Sequence, residues 1–157
     1  SLRPVLLPAT APGRLWLSSM PGRFEPWERF LAEAAEARLD LVACLTPREE
    51  LAALSPAYDL ALAQGSLPFA WLHPPMHNFG LPDNPAGFRS GVEQLAGELQ
   101  AGRSVMLHCA AGMGRTGSAA ACVLKRLGLA ADEALQRVRD AGSNPQNAAQ
   151  AGFVDWF

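Results

Sequence analysis

Short apolar runs that alternate with helical segments are the feature of this sequence that most constrains its fold. The apolar runs are typical of short buried strands and cover residues 14–18, 41–45, 69–73 and 104–107. Apolar residues at helical spacing predict helices over 26–39, 47–54, 56–64, 88–101, 116–127, 131–141 and 147–157. This alternation predicts an α/β fold with a single-layer, mostly parallel sheet of about four or five strands flanked by helices.

The size and charge of the chain indicate how many domains it has and which kinds of partner it lacks. Its 157 residues are enough to bury a core, and we expect residues 1–157 to form one domain. The net charge is −2 and there is no basic run, which argues against a nucleic-acid partner. No apolar stretch approaches the ~20 residues that cross a bilayer, and the first residues lack the pattern of a secretory leader. We therefore expect neither a nucleic-acid nor a membrane partner. We also expect the protein to be a monomer.

The three cysteines, Cys44, Cys109 and Cys122, are too few and too irregularly spaced for a disulfide framework. This favours a reducing compartment, and we expect the protein in the cytoplasm. No CxxC pair is present, and the histidines do not lie at the spacing of zinc ligands, so no metal site is predicted.

The segment 108–117, which reads HCAAGMGRTG, carries the chemistry. It lies between a predicted strand and a predicted helix, so its backbone N–H groups can surround an anion at the positive end of the helix dipole. Gly112 and Gly114 permit the unusual backbone angles of such a tight loop. Ligands of parallel sheets bind beyond the carboxyl ends of the strands, where the proline-rich segment 74–85 should also lie.

Within this loop the residue types suit phosphate chemistry. A cysteine thiol is the more easily ionised when it faces N–H dipoles and a helix N-terminus, which makes Cys109 the candidate nucleophile. The planar guanidinium of Arg115 can bind two phosphate oxygens at once. The Thr116 hydroxyl can donate to the sulfur and make it a better leaving group, and His108 is expected to order the loop by hydrogen bonding.

These residues match the HCxxGxxR[ST]G signature of the protein tyrosine phosphatase superfamily. The segments 15–22, 44–51 and 150–157, and the HPP that leads into 74–85, resemble the cyclin-dependent-kinase-associated dual-specificity phosphatases. The resemblance implies the cysteine-phosphatase fold, a phosphorylated protein or peptide substrate, and neither metal nor organic cofactor. Phosphate would bind to the loop residues Ala110, Ala111, Gly112, Met113, Gly114 and Arg115. The alternative, a buried cysteine beside a glycine-rich turn, does not account for five matching residue types in order.

One position departs from the family pattern. Members carry a general-acid Asp where this chain has Asn78, which has no proton to give to a leaving oxygen. We hypothesise that Asp83, the nearest carboxyl in the same loop, acts first as the acid and then as the base for the hydrolytic water. Asp83 could equally well be a turn residue in the sequence PDNP, with no catalytic role. His77 is a third candidate for the acid.

Substrate class and rival functions remain open from the sequence. The neutral loop positions Ala110, Ala111 and Met113 favour a phosphoprotein over an inositol phosphate or another small polyanion. With Asn78 at the acid position, the chain could instead be a phospho-binding module of low turnover. The intact Cys109, Arg115 and Thr116 argue against this alternative, because a binding module does not need a nucleophile. A sulfur-transfer domain of the rhodanese type also has a cysteine-led anion loop, but the GxxRTG ending fits it poorly.

Three further residues have more than one interpretation. Gln150 could position the hydrolytic water, by analogy with late glutamines of the superfamily, or it could be a capping residue on the last helix. Cys44 could form a disulfide with an oxidised Cys109, although buried packing is the more common role of such a residue. Cys122 falls on the apolar face of its helix and is predicted to lie in the core.

Overall fold

A computed structural model of the chain describes residues 1–77 and 81–157. Its strands are β1 (Arg3–Val5), β2 (Arg14–Ser18), β3 (Leu41–Cys44), β4 (Ala70–Leu72) and β5 (Ser104–His108). They form one sheet in the order β1-β2-β5-β3-β4, in which every neighbouring pair except β1 and β2 is parallel. The predicted mostly parallel sheet is confirmed.

Strand β5 occupies the centre of the sheet, and all of its residues are buried. Its last residue, His108, pairs with Ser18 at the end of β2 and with Cys44 at the end of β3. Three parallel strands therefore end side by side. The segment that follows β5 begins in the middle of this edge, where α/β sheets bind their ligands.

Helices cover both faces of the sheet. They are α1 (Trp27–Glu36), α2 (Arg48–Leu54), α3 (Pro56–Gln64), α4 (Pro85–Gln100), α5 (Gly114–Arg126), α6 (Ala131–Asp140) and α7 (Ala148–Trp156). Successive side chains of a strand point to opposite faces. Accordingly, Val105 and Leu107 pack in the cluster that includes α4 to α7, and Met106 packs with Phe30 of α1 on the other side. In the described ranges, no helix has the length and apolar character needed to cross a membrane.

The edge strand β1 is not among the predicted strands. It has three residues with Pro4 in the middle, and only Val5 is buried. A proline is tolerated there because an edge strand pairs on one side only, and β1 pairs with β2 alone. So short a strand carries no alternating pattern by which the sequence could reveal it.

Helix α4 begins at Pro85, three residues before the predicted start at 88. Asn84 caps it, since its side-chain oxygen accepts a hydrogen bond from the Gly87 N–H at 3.0 Å. Pro85 occupies the first helical position, where the absence of an N–H costs nothing. The proline that appeared to belong to the irregular loop therefore starts the helix.

Candidate active site

The candidate site lies where β5 ends and α5 begins. Cys109 follows the last residue of β5, and α5 starts at Gly114, so that only a five-residue loop, 109–113, separates strand from helix. The first N–H groups of a helix have no partner within it and carry the positive end of its dipole. A loop that leads directly into a helix terminus is a position suited to binding an anion.

Cys109 is buried, with 2% of its surface exposed. The N–H of Gly112 donates a hydrogen bond to Cys109 Sγ at 3.3 Å. Sulfur is a weak acceptor as a thiol and a far better one as a thiolate, so this N–H is placed to bind the thiolate of the proposed nucleophile. The predicted nucleophile thus faces at least one inward N–H of its own loop.

Gly112 cannot be replaced without displacing the backbone. Its φ is +73°, which L side chains rarely adopt, and an added Cβ would lie 2.6 Å from backbone atoms of Ser18 and Ser19. At Gly114, an added Cβ would lie 2.8 Å from Oε1 of Gln150. Both glycines therefore allow close contact between the loop and its neighbours.

Arg115 is held by an acidic residue that the sequence did not identify. Its Nη1 and Nη2 donate to Oε1 and Oε2 of Glu50 at 3.0 and 2.6 Å, and Nη1 also donates to the Met76 carbonyl at 3.1 Å. Burial opposes the charged form of Arg115, but the Glu50 carboxylate and the Cys109 sulfur outweigh it, and the pKa of Arg115 is raised. Glu49 and Glu50 are acids in the first turn of α2, where acids are common, so nothing in the sequence indicated that Glu50 binds Arg115.

His108 orders the loop as predicted, through a chain of buried hydrogen bonds. Trp71 Nε1 donates to the Tyr58 hydroxyl at 2.9 Å, and that hydroxyl lies 2.8 Å from His108 Nε2. His108 Nδ1 lies 3.1 Å from the Cys109 carbonyl, and because a carbonyl only accepts, Nδ1 carries the proton and Nε2 accepts from Tyr58. Burial lowers the pKa of His108 to about 4, so the ring is neutral at pH 7 and fixes the Cys109 peptide.

Thr116 lies in the first turn of α5 and is fully buried. Its hydroxyl has no hydrogen-bond partner among the residues that the structure describes. The bond to Cys109 Sγ suggested by the sequence is therefore not formed in this state, and the role of Thr116 in catalysis stays a prediction.

The segment that should supply the general acid contains a contact between a histidine and an aspartate. His77 Nδ1 and Asp83 Oδ1 are in direct contact, and both side chains are exposed. The segment 74–85 contacts the site through the Met76 carbonyl, which accepts a hydrogen bond from Arg115. In the described ranges, Asp83 makes no hydrogen bond to Cys109 or Arg115. Asn78, the position at which the family has its acid, lies outside the described residues. Asp83 as the general acid therefore stays a hypothesis.

Gln150 lies near the loop although it comes late in the chain. It is 2% exposed, in α7, and its side-chain amide lies against Gly114. Its Oε1 accepts a hydrogen bond from the Gln146 N–H at 2.5 Å. The late glutamine predicted for the water step is thus adjacent to the anion loop.

The other two cysteines are both free and fully buried. Burial raises the pKa of Cys44 to about 11, and its thiol contacts Thr46 Oγ1 at 3.3 Å. Burial also raises the pKa of Cys122 to about 12 in the core beside α4. Their environments keep both of them protonated near neutral pH.

The remaining loop positions form the rim of the site. Ala111 is exposed, and Ala110 and Met113 are half-buried. The Ala110 carbonyl accepts hydrogen bonds from the Met20 N–H at 3.2 Å and from Arg23 Nη1 at 3.0 Å. Among the described residues, no group of three His, Cys, Asp or Glu side chains could hold a metal ion.

Comparison with known proteins connects this loop to a family. Residues 75–136 match the model described as the tyrosine phosphatase family. Among curated protein sequences, none matches the chain significantly.

Solved structures match nearly the whole chain. The kinase-associated phosphatase KAP, in a form whose catalytic-site cysteine is replaced by serine, has a TM-score of 0.85 and 21% identity over 98% of this chain and 91% of its own. The active form of Tk-PTP has a TM-score of 0.70 and 27% identity, with 93% of each chain covered. Human DUSP28 has a TM-score of 0.67 and 18% identity over 99% of this chain and 96% of its own.

The chain therefore has the fold of these phosphatases, and its segment 75–136, which contains the Cys109 loop, is similar to the tyrosine phosphatase family. The resemblance noted in the sequence is confirmed.

Proposed function

We propose that residues 1–157 form one catalytic domain that removes phosphate from phosphoproteins, with phosphotyrosine as the main substrate and phosphoserine and phosphothreonine as further ones. The observation that carries this proposal is the site at the end of β5. There Cys109 Sγ accepts a hydrogen bond from the Gly112 N–H, and Glu50 orients Arg115 at the start of α5. The free cysteines support a reducing compartment, and we place the activity in the cytoplasm.

The first step transfers the phosphoryl group to sulfur. The Cys109 thiolate attacks phosphorus, an S–P bond forms, and the P–O bond to the leaving group breaks. The N–H groups of residues 110–114 and the guanidinium of Arg115 bind the equatorial oxygens, where charge is greatest in the transition state. A leaving alkoxide or phenolate takes a proton in this step, and we assign its donation to Asp83.

The second step restores the thiol. Asp83, now a carboxylate, accepts a proton from water as the water oxygen attacks phosphorus, and the S–P bond breaks with its electrons returning to sulfur. The position of Gln150 against Gly114 supports a role in orienting that water. Thr116 would stabilise the departing thiolate by turning its free hydroxyl to the sulfur.

The loop itself supports a protein substrate. Ala110, Ala111 and Met113 add no positive charge to the rim, whereas a substrate with several phosphates would gain from basic side chains there. Arg23 lies at this rim, but its guanidinium binds the Ala110 carbonyl. A singly phosphorylated side chain fits this charge distribution better than an inositol phosphate does.

The test combines two substrates with variants of the proposed machinery. We expect Cys109→Ser to abolish turnover, and acid quenching of the wild type to capture a phosphocysteine at position 109. Asp83→Asn should lower kcat on a phosphopeptide by about 10²–10⁴, and lower it far less on p-nitrophenyl phosphate, whose leaving group needs little protonation.

Two further variants complete that experiment. Asp132→Asn removes an equally exposed carboxylate at the start of α6 and should leave both rates unchanged. His77→Ala tests the third candidate for the acid. If Asp83→Asn keeps kcat on the phosphopeptide within a factor of about three of wild type, Asp83 is not the acid.

A second function is favoured by one observation, Asn78 at the family's acid position. A phospho-binding module would retain phosphopeptides without hydrolysing them. Wild type that binds a phosphopeptide but releases no phosphate, even from p-nitrophenyl phosphate, would support this function and contradict the first.

A further inference from the structure

The strand β1 brings an arginine to the back of the phosphate loop. Arg3 Nη2 donates to the Gly112 carbonyl at 2.7 Å. Its Nη1 donates to the Ala141 carbonyl at 2.7 Å and to Ser143 Oγ at 3.0 Å. One half-buried guanidinium thus joins the first strand, the end of α6 and the catalytic loop.

The Gly112 carbonyl is bonded twice. In addition to Arg3, the fully buried Ser143 hydroxyl donates to it at 2.5 Å. The Ser143 hydroxyl donates its one proton to the Gly112 carbonyl, and its oxygen accepts a hydrogen bond from Arg3. Both hydrogen bonds can therefore form at the same time. The carbonyl is fixed by a charge-assisted bond and by a neutral one.

The orientation of this carbonyl determines the direction of the next N–H. The peptide bonds of the described residues are all trans, and in a trans peptide the C=O and the following N–H point in opposite directions. A Gly112 carbonyl held towards Arg3 and Ser143, behind the loop, therefore directs the Met113 N–H to the side where phosphate binds. The Gly112 N–H already points there, to Cys109 Sγ.

The packing around Arg3 leaves room for this contact. Gly142 has a φ of +89°, and a Cβ added to it would lie 2.9 Å from Arg3 Nη1. Burial lowers the pKa of Arg3 while the charge of Cys109 opposes that shift, so the two groups are close enough to interact. Arg3 remains a cation at pH 7 because a guanidinium is protonated far above neutral pH.

We propose that Arg3 is a positioning residue of this site: together with Ser143 it holds the Gly112 carbonyl behind the loop, and so keeps the Met113 N–H directed at a phosphate oxygen. This inference rests on the proposed function. Arg3 touches neither substrate nor sulfur in this role, and it acts through the loop peptide alone.

The experiment measures oxyanion binding separately from turnover and stability. Inorganic phosphate is titrated calorimetrically into wild type, Arg3→Ala, Arg3→Lys and Ser143→Ala, and kcat and KM for p-nitrophenyl phosphate are measured for each. Arg137→Ala is the matched control, because Arg137 joins α6 to the same N-terminal segment, through the Leu6 carbonyl at 3.1 Å, without contacting the loop.

We expect Arg3→Ala to weaken phosphate binding and lower kcat/KM about tenfold, which is less than the 10²–10³ lost with a whole oxyanion donor, because Ser143 remains. Arg3→Lys should recover part of both losses. The double variant of Arg3 and Ser143 should approach 10², and Arg137→Ala should change neither quantity even where its urea midpoint falls.

Unchanged phosphate binding in the Arg3 variants would contradict the proposed role of Arg3. Arg3→Ala and Arg3→Lys that bind phosphate as tightly as Arg137→Ala would overturn the inference. If Arg3→Ala does not fold, Arg3→Lys and Ser143→Ala decide the question against the same control. Wild type that binds phosphate without turnover refutes the proposed function alone, since the binding titration still tests Arg3.

Discussion

Replacing Glu50 tests how far the site depends on the ion pair that orients Arg115. The two side chains form two hydrogen bonds, at 3.0 and 2.6 Å, and their exposures are 9% for Arg115 and 23% for Glu50. Glu50→Ala removes both bonds and leaves the cation with the Met76 carbonyl and the Cys109 sulfur as partners. Glu50→Gln keeps one acceptor and loses the charge.

The magnitude follows from the partial burial of the pair. Unit charges about 4 Å apart attract by about 4 kcal/mol at an effective dielectric constant of about 20, and desolvation cancels much of this. Exposed pairs contribute about 0.2–1 kcal/mol, whereas loss of one partner from a buried pair costs about 3–5 kcal/mol. We expect Glu50→Ala to lower the free energy of unfolding by about 2 kcal/mol, and Glu50→Gln by about half as much.

Catalysis should suffer separately from stability. An Arg115 that is no longer held must be ordered when substrate binds, at about 0.5–1.5 kcal/mol, which is up to about tenfold in kcat/KM. Urea unfolding and steady-state hydrolysis of p-nitrophenyl phosphate measure the two effects. Glu49→Gln, at the exposed neighbouring position of α2, is the control. A Glu50→Ala variant that matches this control in both measurements would refute the reasoning.

Other predictions concern the loop and the buried titratable groups. Gly112→Ala should cost about 3 kcal/mol of stability and most of the activity, because φ is +73° there and an added Cβ would lie 2.6 Å from backbone atoms of Ser18 and Ser19; urea unfolding that shows no loss would contradict this. With pKa values of about 11 and 12, Cys44 and Cys122 should resist iodoacetamide at pH 7, and peptide mass mapping should find the label on Cys109 alone. His108, with its pKa lowered to about 4, binds its proton less readily than in the unfolded chain, where the pKa is about 6.5. The free energy of unfolding should therefore fall as pH decreases from about 6.5 to 4, by at most about 1.4 kcal/mol per unit, and urea titrations should show a smaller fall for His108→Gln.

The parts of the fold and site that the sequence predicted are those encoded over short distances. Four strands and the helices followed from apolar periodicity, and the HCxxGxxR[ST]G segment indicated the cysteine, the arginine and the glycines within ten residues. The contacts of Arg115 with Glu50 and of Gly112 with Arg3 span 65 and 109 residues. No local pattern encodes such pairs, because Glu50 and Arg3, taken alone, resemble ordinary surface charges.

The signature segment indicates the chemistry, but it does not indicate the residues, distant in sequence, that hold the loop in shape. A backbone loop whose N–H groups converge on one point is unfavourable by itself, since its dipoles repel and Gly112 occupies a left-handed conformation. Elements distant in sequence hold the site: Arg3 of β1 binds the Gly112 carbonyl, Glu50 of α2 binds Arg115 at the start of α5, and Tyr58 of α3 binds His108 at the end of β5. These supports come from different strands and helices, so a chain can keep the whole signature and still lose its anion site through one of them. Loss of phosphate binding with Cys109 and Arg115 intact is therefore the characteristic failure that variants outside the loop should produce.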